Sequence, residues 1–141
     1  MSLPQSQSVR FVPFILIAGD VIALLMFVFA GQRDHELVDP NQPVVGVILA
    51  TLPFLSAWIM AGAWLGAFRF DAEERTYRFL SRALNTWLVA ALFGIVLRAL
   101  ILGRAVIPTP FVIAATGFGG LFLLAWRCVF ALGWRLQKNR A

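Results

Sequence analysis

At 141 residues the chain has room for one domain, and only 13% of its residues are charged, about half the share with which a soluble domain covers its surface. Apolar residues make up 60% of the sequence and the mean hydropathy is +0.82, which excludes a water-soluble globular protein. The net charge of +5 does not call for a nucleic-acid partner, because membrane proteins concentrate Lys and Arg in their cytoplasmic segments.

Residues 1–10 are polar and read as a short tail. Residues 11–31 are apolar over the roughly 20 positions that a helix needs to cross hydrocarbon. The run is longer than the apolar core of a signal peptide and is interrupted by Asp20, so a retained first helix is expected. A carboxylate at the middle of a span costs about 2.5–3.5 kcal/mol on insertion scales and must be compensated by the rest of the chain.

The loop that follows, residues 31–42, carries Arg33, Asp34, His35, Glu36 and Asp39. A single histidine among acids falls short of the three or four converging ligands of a metal site, so neither a metal nor another cofactor is expected. The second apolar stretch covers residues 43–68. Pro53 within it removes one backbone hydrogen bond and predicts a kink. Gly62 and Gly66 have the spacing that lets a second helix approach closely.

Residues 70–82 alternate Asp71, Glu73, Glu74, Arg75, Arg78 and Arg82 with Phe70, Tyr77, Phe79 and Leu80. This pattern predicts a short amphipathic helix on the membrane surface, started by an Asp71–Glu74 capping box and supported by a Glu74–Arg78 pair. A third span follows at 83–103, with Trp87, Gly94 and Arg98. A turn through Pro108 and Pro110 is short enough to make the third and fourth spans an antiparallel hairpin. The fourth span, 110–134, contains Gly117, Gly119, Gly120, Trp126, Arg127 and the lone Cys128. One cysteine rules out an intrachain disulfide, and in this run it reads as a small apolar residue.

Arg10, Arg69, Arg75, Arg78, Arg82, Arg135, Lys138 and Arg140 fall on one side of these four crossings, and only Arg33 and Arg104 on the other. The expected architecture is therefore an all-α integral membrane four-helix bundle, a single transmembrane domain over 1–141, with both termini cytoplasmic in the cell inner membrane. Trp64 and Trp134 then stand where an inner aromatic belt belongs.

Three charged residues lie inside the spans: Asp20, Arg98 and Arg127. Counted from the span ends, Asp20 is about 13 Å deep and Arg98 about 22 Å, an offset near the reach of an arginine or of one bridging water. Trp87, Ala91, Gly94 and Arg98 share a face of the third helix, whose small residues would let the first helix press close. Arg127 lies nearer the cytoplasmic surface, where it would either snorkel or itself take Asp20. The sequence leaves both partners open.

No nucleophile elbow, zinc-protease helix, phosphate loop or cysteine cluster occurs, so the chain does not read as an enzyme. Two functions remain. One is an accessory or scaffold protein held together by an intramembrane Asp–Arg interaction. The other is an oligomeric transporter or channel using Asp20 and Arg98 as a proton or ion site. Arg33 and His35 complete the candidate binding residues. The expected partners are the lipid bilayer and further copies of the chain or a larger membrane complex. Thirteen Phe and five Trp suit packing and interfacial belts without a bound pigment.

Asp20, the Gly31-x-Arg33-x-His35 exit, Pro53-Phe54 with Trp58, Leu97-Arg98 and Trp126-Arg127 together resemble a family of small bacterial and plastid membrane proteins, the domain of unknown function three-zero-five-four. The resemblance covers nearly the whole chain and implies a four-helix membrane protein. The stretch after His35 is more acidic than that pattern.

Overall fold

The computed structural model describes residues 5–34 and 40–140, with side chains from Arg10 onward except Asp34. The described residues form four helices: α1 (Gln5–Asp34), α2 (Pro43–Leu65), α3 (Thr76–Ile101) and α4 (Thr109–Lys138). Each contains a segment long and apolar enough to cross a membrane. Pro43 and Pro110 sit in the first turns of α2 and α4, where the missing N–H leaves no intrahelical bond unmade.

Consecutive helices pack as neighbours and α4 closes against α1, which leaves α1 opposite α3 and α2 opposite α4. The small face of α3 therefore admits α2 and not, as the sequence suggested, α1. A Cβ at Gly94 would press on Phe54 of α2. The interior is built from small residues, Ala23, Ala57, Ala61, Ala83, Ala90, Ala91 and Ala115, around Phe54, Trp58 and Trp87. Large apolar side chains face outward, with Phe14, Met60 and Leu100 all more than 70% exposed. Small residues on the inner faces let the helix backbones approach closely.

The segment between α2 and α3 departs from expectation. No separate surface helix occurs there: residues 76–82 are the first turns of α3, because nothing between Thr76 and Ala83 breaks the helix. The capping box is absent as well. Asp71 instead accepts the Glu73 N–H through Oδ1 (2.9 Å) in an Asx turn, ahead of a helix that starts five residues later. Glu74 pairs not with Arg78 but with Arg82, at 2.7 and 2.9 Å, and Arg82 also donates to the Arg69 carbonyl. Gly62 and Gly66 do not form a helix–helix contact: Gly66 ends α2 at φ 74°, and Gly62 faces the ring of Phe68 from the same turn. Below this segment Phe70, Phe79, Phe130 and Trp134 form an aromatic cluster, with Phe70 and Trp134 edge to face at 4.8 Å. Trp64 is exposed, whereas Trp134 belongs to this cluster, and Cys128 is partly buried and free.

Candidate functional site

The polar centre of the bundle joins Asp20 on α1 to Arg127 on α4, and both side chains are wholly buried. The guanidinium meets the carboxylate side-on. Nε donates to Oδ1 at 2.9 Å and Nη2 to Oδ2 at 2.5 Å, the two-bond geometry that suits a planar cation and a carboxylate. Oδ2 also accepts the Trp58 indole N–H at 3.1 Å from α2. Nη1 of Arg127 donates to the Ala67 carbonyl at 2.8 Å. The cation lies over the rings of Trp58 (5.8 Å) and Phe79 (5.3 Å). All four helices thus meet at one charge pair.

Local sequence explains each contribution. The αL turn at Gly66 folds the chain back over the end of α2, with the Ala67 N–H bonded to the Gly62 carbonyl at 2.9 Å, and so turns the Ala67 carbonyl to the guanidinium. Gly19, beside the aspartate, lets α4 approach, since a Cβ there would overlap the indole of Trp126. Counted from Arg10 and Lys138, where the described ends of the apolar spans lie, Asp20 and Arg127 are at nearly equal depths of about 15 and 16 Å. Arg127 accordingly does not snorkel.

Arg98 is not the partner of Asp20. Its guanidinium stacks over Phe111 at 5.5 Å, in a cavity whose described lining from α1 is Phe27, Val28, Gly31 and Gln32. Those residues lie about 10 Å or more along α1 from Asp20. Arg33 is exposed in the last turn of α1, and His35 lies outside the described residues. The structure brings together Asp20 and Arg127 and leaves Arg98 and Arg33 apart from them. Reading the sequence missed Ala67 and Phe79 as parts of the site. The signals available were Gly66 at the end of an apolar run and an aromatic residue in the first turn of the next helix.

From Phe68, an aromatic column of Trp58, Trp87, Phe54 and Phe27 runs through the core towards the Arg98 cavity, with ring centroids 6.0–6.4 Å apart. Trp87 satisfies its indole by donating to the Thr116 carbonyl of α4 at 2.8 Å. A family model described as a protein of unknown function (DUF3054) matches residues 17–130, which include Asp20, Trp58, Arg98 and Arg127. No curated protein and no solved structure matches the chain.

Proposed function

The chain belongs to the DUF3054 family of proteins of unknown function, and from that premise we propose that it is a non-enzymatic, multi-pass membrane protein of scaffold or accessory type, locked by the Asp20–Arg127 pair. The observation that carries this reading is the sealing of the pair. Both side chains are 0% exposed, the carboxylate has three donors, and neither Asp20 nor Arg127 lines the cavity beside Arg98 or the one between α2 and α3. A residue that relays protons or ions needs a water-accessible route on at least one side.

Insertion in the bilayer is supported by the four apolar helices and by bulky apolar side chains on the outer surface. The excess of basic residues at the end of the bundle that holds both termini supports a cytoplasmic position for that end, in the cell inner membrane. The working unit would be a homo-oligomer or a larger membrane complex, with lipid around it and no nucleic acid.

The test is reconstitution of the full chain in proteoliposomes with a pH-sensitive dye inside. The scaffold reading expects proton flux no greater than in protein-free vesicles, for the wild type and for Asp20→Asn alike. Gradient-driven flux in the wild type that Asp20→Asn abolishes overturns it and installs the transporter reading.

A further inference from the structure

At the end of the bundle away from the termini, the last turns of α1 and α3, Ala50 and Phe54 of α2, the first turns of α4 and the α3–α4 turn enclose an open cavity of about 260 Å³. Its wall is largely apolar, with Phe27, Phe54, Ile95 and Phe111 contributing rings and a branched chain. Three polar residues break that wall: Gln32, Arg98 and Arg104. α3 ends in a left-handed turn at Gly103 (φ 62°), with the Arg104 N–H bonded to the Ala99 carbonyl at 2.9 Å and the Gly103 N–H to Leu100 at 3.1 Å. This hydrogen-bonded reversal carries Arg104 back to the cavity that Arg98 enters from one turn earlier.

Among the described residues the charge there is unbalanced. The ion pairs among the described residues are Arg82–Glu74, Arg127–Asp20 and Lys138–Glu73, so neither Arg98 nor Arg104 has a carboxylate among them. Both arginines line the same cavity. Among the described residues, Arg98, half-buried in α3, has the face of Phe111 and the carbonyl end of α3 to offset its charge. Gln32 donates its amide N–H to the Gly46 carbonyl at 3.3 Å, while its Oε1 is buried and has no donor among the described residues. Two cationic forks, one orphaned acceptor and an apolar wall describe a complement.

We propose that this cavity binds an anionic phospholipid, with the phosphate between Arg98 and Arg104, a headgroup hydroxyl donating to Gln32 Oε1, and the acyl chain along Phe27, Phe54 and Phe111. Phosphate is the group that guanidinium forks recognise with paired hydrogen bonds, and the apolar wall selects a lipid over free phosphate. The lipid form of the ligand rests on the membrane reading above, and in the orientation given there the site faces the non-cytoplasmic leaflet.

The experiment is native mass spectrometry of the full chain released from micelles containing phosphatidylglycerol and phosphatidylcholine of identical chains. The wild type is expected to retain one phosphatidylglycerol with a preference of about tenfold or more, the scale of one charge-assisted contact. Arg104→Gln, on the exposed turn after α3, should remove most of that preference, and Arg98→Gln the remainder. Arg75→Gln with Arg78→Gln, at the opposite end, should leave it intact. Equal loss in that control reduces the effect to general surface charge and overturns the proposal. So does a wild type without preference, and so does displacement of the lipid by millimolar glycerol phosphate. A chain that floats with vesicles yet shows no preference sinks this proposal and leaves the membrane reading standing. A chain that fails to float sinks the membrane reading itself.

Discussion

Asp20 and Arg127 stand 107 residues apart in the chain and meet through two parallel hydrogen bonds inside a bundle that admits water to neither. Such a pair is a poor source of net stability, because stripping both ions of solvent offsets much of their attraction. Its effect is on the alternatives. Any arrangement of the helices that separates the two leaves an uncompensated charge in an apolar interior. We therefore expect Asp20→Asn or Arg127→Met alone to destabilise the bundle by about 3–5 kcal/mol, as for other buried pairs broken on one side. The double replacement Asp20→Leu with Arg127→Met should recover most of that loss. Unfolding of the purified variants in mixed micelles by increasing dodecyl sulfate measures all three. Additive losses in the double variant would show that the two residues do not act as a pair.

Arg127→Lys keeps the charge but not the fork. An ammonium cannot hold Oδ1, Oδ2 and the Ala67 carbonyl together from that position, nor lie flat between Trp58 and Phe79. The expected loss is about 2 kcal/mol, between the wild type and Arg127→Met. Trp58→Phe removes one donor to an ionised acceptor and should cost about 1.5–3 kcal/mol. The same micelle titration, followed by far-ultraviolet circular dichroism because Trp58 is itself a reporter, checks both. A lysine variant as stable as the wild type would mean that charge alone suffices.

Four apolar helices and the need to compensate Asp20 were legible in the sequence, because both follow from what hydrocarbon forbids. The choice between Arg98 and Arg127 was not. It turned on where the helices end, and α4 continues through Leu136 to Lys138 beyond the last tryptophan. Depths counted from Trp134 put Arg127 too near the surface, whereas depths counted from Lys138 place it level with Asp20. The surface helix was misread for a related reason. An amphipathic pattern over residues 70–82 is also what the polar first turns of a long helix look like after an Asx turn, and only tertiary contacts distinguish them. Ala67 escaped notice because a backbone carbonyl leaves no side-chain signal.

The turn after α2 gives a prediction that separates backbone geometry from charge. Gly66 holds φ at 74°, where a Cβ is strained by about 1–2 kcal/mol. Gly66→Ala should lower stability by about that amount. It should also shift the Ala67 carbonyl away from Nη1 of Arg127. Gly66→Asn, which tolerates the left-handed region, should retain more of the wild-type stability. Equal stability of the alanine and asparagine variants would mean that this turn relaxes freely and does not position the carbonyl.

The exposed Glu73–Lys138 pair provides the contrast with the buried one. At 2.7 Å it is as short as the contacts of the core, yet both partners are more than half exposed. Lys138→Gln is expected to change stability by no more than about 0.2–1 kcal/mol, and less at high salt. A larger loss in the micelle titration would mean that the pair fastens the end of α4 to the α2–α3 turn.

Glycines of α4 make the sharpest steric test, because neighbouring positions have opposite expectations. A Cβ at Gly119 would overlap the indole of Trp87, and at Gly120 it would come to 2.9 Å from the same ring. Trp87 cannot withdraw: it is buried, and its N–H is bonded to the Thr116 carbonyl. Gly119→Ala should therefore cost about 1–3 kcal/mol by overpacking, despite the better helix propensity of alanine. Gly117, two residues earlier, has nothing within 4 Å of where its Cβ would stand. Gly117→Ala should stabilise the helix by about 0.5–1 kcal/mol. Pairing Gly119→Ala with Trp87→Phe, whose smaller ring vacates the notch, should restore part of the loss at the expense of the Thr116 bond, so that the two changes are less damaging together than their sum. If Gly117→Ala and Gly119→Ala stabilise equally in the micelle titration, α4 is not seated on Trp87 and the close approach of α3 to α4 is wrong.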